Sequence, residues 1–419
     1  MEIKPLPNLN AAVTLPGSKS YTQRALVIAA LSRGKSILHH ALISEDTEYL
    51  IEALRLLGST IETHPEELHI EGTDGHITTP KKAIYLGNNG TAIRLLTGVA
   101  SLGKGGFRLT GDQRLCERPV GPLLEALKTL GIDASSENGR GYPPIVVKSA
   151  GLQGGHAVLT DIDSSQFVSS LLISCPLACA DTIIDVIGPI PSRPYVDLTL
   201  ETMGDFGAEV REEPPNRFIV KGNQHYAARS YTIEADVSAA SYFFLAAAIC
   251  HGTVVVENIN SETLQGDIGI LAMMERLGAK VIKKDRWIEI SGGPLRQGDY
   301  VFDFGDMPDV VPTFAILSAM RQGRTVIQNV SHLRIKESNR LEALVNELRR
   351  VGIHAEEYRD SLVIEGGKPH GASIETYNDH RIAMSFAILG LAVPGISITD
   401  TACVSKSFPG FWKELDKWY

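Results

Sequence analysis

Apolar and polar positions along the chain fall into two phased series. In the first, "LIEALRLLGSTIE", "LLEALKTLGIDAS", "LETMGDFGAEVRE", "LAMMERLGAKVIK" and "LVNELRRVGIHAE" each carry an apolar stripe at helical spacing, then a glycine, then alternation at strand spacing. Gly58, Gly131, Gly207, Gly278 and Gly352 stand where a left-handed residue ends a helix. Short runs such as "ELHIEG", "RFIVKG", "WIEISGG" and "SLVIEGG" predict a second strand that closes a hairpin. The copies recur about 73 residues apart, beyond the roughly 20 to 50 residues of common solenoid repeats.

The second series consists of polar or glycine-containing loops that run straight into nearly all-apolar helices. These are "GSKSYTQRALVIAAL", "GNNGTAIRLLTGVA", "DSSQFVSSLLISCPLA", "DVSAASYFFLAAAI", "DMPDVVPTFAILSAM" and "NDHRIAMSFAILGLAV". A helix apolar all round belongs in an interior. Each repeat is therefore expected to hold a buried helix, an amphipathic helix that covers it, and strands outside. The final "SFPGFWKELDKWY" reads as a sixth amphipathic helix without its glycine and hairpin, and the N-terminal "EIKPLP" and "AAVTLPG" are the strands available to complete it. That pairing predicts an α/β chain of six repeats in two domains, three repeats each. One is discontinuous, 1–17 plus 236–419; the other spans 18–235. Polar N-caps explain any one such loop, but six alike would bring free N–H groups and partial positive charge to a shared face, where anions are favoured.

Composition narrows the partners. At 419 residues the chain is too long for one core. With 43% hydrophobic and 21% charged residues it reads as a soluble globular protein. Net charge −9, without a block of like charges, argues against nucleic acid or an anionic membrane as partner. No secretory signal pattern and no apolar run of membrane-spanning length is found. The five cysteines, Cys116, Cys175, Cys179, Cys250 and Cys403, are odd in number and read as buried reduced thiols of a cytoplasmic protein. No HExxH, CxxC or EF-hand loop supports a metal site, and no cofactor is called for.

Positive charge must then act locally, and it gathers at the helix starts. Lys19, Ser20 and Arg24 lie at the first; Asn88, Gly90, Thr91 and Arg94 at the second; Ser164, Ser165 and Gln166 at the third. Arg118 follows "GDQRLCE", and Ser192 with Arg193 follows a predicted strand. Asp309, the cluster Lys336, Glu337 and Arg340, then His380 with Arg381, and Lys406 complete the set. Read singly, Lys336, Glu337 and Arg340 make an ordinary solvated turn, His380 is a structural donor, and Cys116 lacks a paired base.

Together "LPGSKSYTQRA", "LGNNGTAIRLL", "LTGDQRLCERPVGPLLEAL", "SSQF", "SRPYVDLTL", "LRIKESNRL" and "NDHRIAM" resemble the 5-enolpyruvylshikimate-3-phosphate synthase family, from about Leu15 to Lys406. The resemblance implies an inside-out α/β barrel in each of two domains, every repeat βαβαββ, closing on an interdomain cleft. It implies transfer of the enolpyruvyl group of phosphoenolpyruvate to the 5-hydroxyl of shikimate-3-phosphate with release of phosphate, a step of aromatic amino-acid biosynthesis, by a monomer. Lys19, Ser20, Arg24, Ser164, Ser165, Gln166, Ser192, Tyr195, Asp309 and Lys336 would then hold shikimate-3-phosphate. Lys19, Asn88, Gly90, Thr91, Gln166, Arg118, Arg340, Arg381 and Lys406 would hold phosphoenolpyruvate. Asp309, Glu337 and Lys19 would be catalytic.

Two departures stand out: His332 where many relatives have asparagine, and Leu95 in place of a proline. Gly90 leaves space that would admit the phosphoenolpyruvate mimic glyphosate. The UDP-N-acetylglucosamine enolpyruvyl transferases, with a reactive cysteine before their Arg-Pro, and a non-catalytic anion-binding paralogue are the competing readings.

Overall fold

The computed structural model of the chain describes all residues except Asn8 and Glu66. The described residues form two compact units, Met1–Pro16 with Glu234–Tyr419, and Gly17–Ile233. Their helices are, in chain order, α1 (Lys19–Leu31), α2 (Glu45–Leu56), α3 (Gly90–Ala100), α4 (Gly121–Thr129), α5 (Gln166–Ser174), α6 (Pro194–Asp205), α7 (Val237–Ile249), α8 (Ile270–Arg276), α9 (Val311–Ala319), α10 (Arg340–Arg350), α11 (His380–Ala392) and α12 (Phe411–Asp416). Odd-numbered helices are the apolar ones and lie inside; every residue of α7 and α9 is buried. Even-numbered helices bury one stripe, as α2 does with Leu50, Ile51, Ala53 and Leu54. Gly58, Gly131, Gly207, Gly278 and Gly352, one after each of the helices α2, α4, α6, α8 and α10, all have positive φ. A left-handed residue there lets the chain leave the helix and turn into the following strand.

The unit Gly17–Ile233 holds three four-stranded sheets. In each, a parallel pair is followed by an antiparallel hairpin. Ile84–Tyr85 and Lys104–Thr110 run parallel, and Ile145–Ala150 with Asp133–Ser136 completes that sheet. Gly155–Thr160, Thr182–Ile187, Arg217–Val220 and Val210–Glu213 repeat the plan. The sheet built on α1 and α2 takes its first strand from the far end of the unit: Ser230–Thr232 lies parallel to Lys35–His39, beside Glu67–Glu71 and Thr60–Thr63.

The other unit closes in the same way, using the N-terminal segment twice. Asn10–Val13 lies parallel to Thr253–Val256, next to the hairpin Lys280–Lys284 and Trp287–Ser291. Tyr300–Asp303, Gly323–Gln328, Ser361–Gly366 and His354–Tyr358 form the second sheet. The third is only Ser373–Ile374 with Ser397–Ile398, and Glu2 bridges Ser397 antiparallel where the missing hairpin would stand. The Ile3 amide donates to Ile396 O at 2.9 Å and the Ile398 amide to Met1 O at 2.7 Å. Gly390 makes this possible, because a Cβ there would meet Ile3 side-chain atoms at 2.5 Å. Ile3, Leu9, Val13 and Leu15 accordingly share one core with α7, α9 and α11.

Two expectations need correction. Cys179 is exposed and Cys116 and Cys250 are half-buried rather than buried; Cys175 and Cys403 are buried, and burial pushes the Cys175 thiol up to about 12. The last amphipathic helix is short, six residues, with Phe411 packed on Tyr242 and Phe243 of α7 and Leu415 buried in the same core. Among the described residues no helix is long and apolar enough to cross a membrane.

Candidate active site

In the unit Gly17–Ile233 the N-terminal ends of α1, α3 and α5 meet. Asp46, in the first turn of α2, joins the first two: its carboxylate accepts from Lys19 Nζ at 3.4 Å, and its backbone oxygen from Asn89 Nδ2 at 2.8 Å. Gln166, the first residue of α5, joins the last two. Its Nε2 donates to Thr91 Oγ1 at 2.9 Å and its Oε1 accepts from Arg94 Nη1 at 2.7 Å. Close packing of α3 on α5 allows this. A Cβ on Gly98 would stand 2.5 Å from Ser170 Oγ, and the Gly98 amide instead donates to that hydroxyl at 3.1 Å.

Arg94 also donates to Pro119 O at 3.0 Å, which pins the loop that carries Arg118. Arg118 is buried and donates to both the backbone and side-chain oxygens of Asn88, at 3.2 and 3.3 Å. The room beside Gly90 is taken up by this guanidinium: a Cβ there would lie 2.3 Å from Arg118 Cζ. The space read from the sequence at Gly90 is thus the seat of Arg118.

Arg24 extends the face towards α6. Its Nε donates to Thr199 Oγ1 at 2.7 Å and its guanidinium lies 5.7 Å from the Tyr195 ring centroid. Nη2 is buried and has no hydrogen-bond partner among the described residues. Burial lowers the Arg24 pKa to about 10, so it remains a cation near neutrality. Ser192 is buried with φ of 54°, a left-handed residue ahead of the Arg193-Pro194 start of α6. Non-glycine residues rarely occupy that region, and where they do the site is worth attention. Arg193 points elsewhere, bonding Glu212 at 2.7 Å and Asp197 at 2.9 Å.

The capping pattern matches the chemistry. Asn89 caps α3 by accepting from the Ala92 amide at 2.9 Å. Neither Ser18 before α1 nor Ser165 before α5 makes a side-chain cap. The α1 start beside Lys19 and Ser20 therefore lacks a cap from Ser18, while at α5 the Ser164 hydroxyl accepts from the Gln166 amide at 3.3 Å; helix starts with free amides favour anions.

The second cluster lies in the unit of Met1–Pro16 and Glu234–Tyr419. Arg340, the first residue of α10, is wholly buried and faces three carboxylates. Nε donates to Asp379 at 2.8 Å, Nη1 to Asp309 at 2.9 Å and Nη2 to Glu337 at 2.8 Å. Burial opposes its charge, yet Asp379, Glu337 and Asp309 together hold its pKa above the ordinary arginine value. Asp309 also accepts from Arg381 Nη2 at 2.7 Å. The solvated turn that sequence alone allowed here is instead an interior ion network. Asp379 caps α11 by accepting from the Arg381 amide at 3.0 Å, and Arg381 Nη1 donates to Tyr242 Oη at 3.4 Å. Arg381 Nε is buried without a hydrogen-bond partner among the described residues. Lys406 is buried at the end of the turn Ala402–Lys406, which packs on α11. Lys336 is half-buried just before Glu337.

Asp46, Asp379 and Asp267 were not singled out from the sequence as site residues. Asp46 and Asp379 had a signal, since Asp46 lies in the first turn of α2 and Asp379 is the polar residue that precedes α11. Asp267 is buried, accepts from Ser238 Oγ, and is pushed up to about 7 by burial and then by the Asp309 carboxylate. His332 is buried too; burial, then Lys336, lowers its pKa to about 3. Below the ordinary 6.5 an unfolded chain takes up a proton that the folded ring refuses until about 3. This residue's contribution to stability therefore falls as pH drops from about 6.5 towards 3. Urea unfolding at pH 7 and pH 4.5 should show wild type losing more stability than a His332→Asn variant; equal losses would contradict a neutral buried ring.

Six repeats in two units, the last without its hairpin, hold arginines and lysines at buried helix ends, an arrangement suited to small polyanions. The comparisons make the assignment specific. The sequence profile described as EPSP synthase (3-phosphoshikimate 1-carboxyvinyltransferase) matches residues 3–415. A 3-phosphoshikimate 1-carboxyvinyltransferase of Nostoc punctiforme is 41% identical over 418 residues, 98% of each chain. One of Methanococcoides burtonii is 41% identical over 411 residues, 97% of this chain and 95% of that one. The solved EPSP synthase of Acinetobacter baumannii superposes with a TM-score of 0.82 at 28% identity, covering 99% and 97%. The chain belongs to the EPSP synthase family.

Proposed function

We propose that this chain transfers the enolpyruvyl group of phosphoenolpyruvate to the 5-hydroxyl of shikimate-3-phosphate and releases phosphate. In the addition step the hydroxyl oxygen bonds to C2 of phosphoenolpyruvate, the hydroxyl proton goes to a base, and the methylene carbon takes a proton. In the elimination step that carbon gives a proton back, the carbon–oxygen bond to phosphate breaks, and the enol ether forms. Each step needs a proton donor and an acceptor. Asp309 and Glu337 supply the two carboxylates, and Arg340 orients both. Ser164, Ser165, Ser192 and Lys336 take the 3-phosphate, Arg24 the carboxylate of shikimate-3-phosphate, and Ser20, Gln166 and Tyr195 flank its ring. Asn88, Gly90, Thr91, Arg118, Arg340, Arg381 and Lys406 serve phosphoenolpyruvate, and Lys19 and Gln166 are shared by both substrates, Lys19 also acting in catalysis. No cofactor enters the scheme.

The observation that carries this reading is the pair of buried cationic donors, Arg24 Nη2 and Arg381 Nε, that lack acceptors among the described residues. A buried charged donor is normally satisfied, and leaving one bare costs free energy that a bound anion removes. We place the protein in the cytoplasm, in keeping with five free cysteines, and propose that it acts as a monomer. Phosphate release with phosphoenolpyruvate should require shikimate-3-phosphate and not occur with the UDP-sugar; the reverse dependence would assign the competing reading. Glyphosate should inhibit by competing with phosphoenolpyruvate, and activity unaffected at high inhibitor and low phosphoenolpyruvate would refute that.

Gly90→Ala tests the phosphoenolpyruvate assignment. The new methyl must displace the Arg118 guanidinium from its Asn88 oxygens. Moving one charge-assisted contact is worth about 1.5–3 kcal/mol, so the KM for phosphoenolpyruvate should rise on the order of 10-fold while that for shikimate-3-phosphate stays within about 2-fold. Equal shifts in both constants would remove Arg118 from the donor site.

A further inference from the structure

The outer face of the sheet that carries Ser230–Thr232, Lys35–His39, Glu67–Glu71 and Thr60–Thr63 has a group of residues that the reaction does not use. Register sets Glu62 across from His69, His69 across from Ile37, and Glu67 across from His39. Side chains two apart on one strand share a face, so Glu62, Glu67, His69 and His39 come together with His64, which follows the Thr60–Thr63 strand. The His64 amide donates to Glu67 O at 2.9 Å and continues the hairpin. The His64 and His69 ring centroids are 4.5 Å apart, and His64 Nε2 lies 3.8 Å from Glu62 Oε2. One ligand atom from each of Glu62, His64 and His69 lies within 4.8 Å of the other two.

We propose that Glu62, His64 and His69 bind a borderline divalent cation of the Zn²⁺ or Ni²⁺ type. Two imidazoles and one carboxylate are the donors such ions prefer, with water in the remaining position, whereas Mg²⁺ and Ca²⁺ favour all-oxygen sites. Bonds of about 2.0–2.2 Å in tetrahedral geometry place donors about 3.3–3.6 Å apart, which side-chain rotation of Glu62 and His64 can reach from the present spacing. The support is already in place. His69 Nε2 is bonded to Glu67 Oε2 at 2.9 Å, which leaves Nδ1 for the metal. Glu67 Oε1 is bonded to His39 Nδ1 at 2.9 Å, and His39 Nε2 to Ser230 Oγ at 2.8 Å. A carboxylate behind a ligating histidine fixes its tautomer and raises its basicity. The absence of a metal motif from the sequence follows from the geometry: the donors come from two strands, and cross-strand register brings them together.

Calorimetric titration of the metal-free, full-length protein with Zn²⁺ should give one equivalent of binding, and Mg²⁺ should not compete. A His64→Ala/His69→Ala double variant should lose that equivalent, and Glu67→Gln should weaken it by about 10- to 100-fold. Phosphate-release turnover, in which these residues have no part, checks that the variants are folded. No one-equivalent binding by wild type, or the same isotherm in the folded double variant, would overturn the site.

Discussion

Glu337→Gln should lower turnover at least about 10²-fold and leave shikimate-3-phosphate binding within a few-fold of wild type. The amide keeps the shape of the side chain and an oxygen to accept from Arg340 Nη2, which lies 2.8 Å from Glu337 Oε2. It cannot carry the proton that both addition and elimination must move. Asp309→Asn should match it in turnover but also raise the KM for phosphoenolpyruvate. Asp309 bonds Arg340 with one oxygen and Arg381 with the other, at 2.9 and 2.7 Å. An amide offers an acceptor to one guanidinium and turns a donor against the other. Steady-state kinetics and equilibrium binding on both variants separate the two effects. Near-normal turnover in either variant would take that residue out of proton transfer, and no turnover by the wild type with both substrates would leave the non-catalytic reading standing.

Arg340→Met should cost the unit of Met1–Pro16 and Glu234–Tyr419 about 3–5 kcal/mol, the penalty for removing one partner from a buried ion network. The arginine side chain is wholly buried, as is that of Asp379, while Glu337 and Asp309 are 8% and 17% exposed. Without the guanidinium, three carboxylates face each other with little water to separate them. For a unit of this size such a loss lowers the unfolding midpoint on the order of 10 °C. Arg340→Lys should recover part of the stability and little of the activity, since a point charge cannot reach Asp379, Asp309 and Glu337 along separate N–H directions. Calorimetry and urea unfolding decide the matter; a loss below about 1 kcal/mol would mean that the network is solvated.

Much of this architecture could be read from periodicity. Apolar runs such as "SYFFLAAAIC" predict interior helices, and α7 is buried along its whole length. The N-terminal strands pair with the later part of the chain because the sixth repeat ends without a hairpin, and the Glu2 bridge to Ser397 stands in its place. What periodicity could not carry was side-chain direction. Arg340 fits an exposed i, i+3 pair with Glu337 equally well, and only the packing of α10, α11 and the Pro308–Val310 turn around it makes the pair interior. Arg193 stands next to Ser192 in sequence, yet its guanidinium bonds Glu212 on a neighbouring strand. Gly90 looked like open space because a sequence cannot show that Arg118, 28 positions on, fills it.

The acidic residues were the hardest to read for a related reason. Asp46, Asp267 and Asp379 touch cationic or hydroxyl side chains up to 41 positions away. Nothing in local composition marks a carboxylate as the partner of a distant arginine. A basic side chain at a helix start, by contrast, advertises itself, because the amide groups beside it already favour an anion.

The claim beneath all of this is that the buried helix ends form polyanion seats. A solved structure of the protein with shikimate-3-phosphate tests it most directly. The 3-phosphate should sit at the start of α5 against Ser164 and Ser165, and the ring carboxylate should accept from Arg24. A phosphate bound away from the α5 start, with Arg24 Nη2 still lacking an acceptor, would contradict the account.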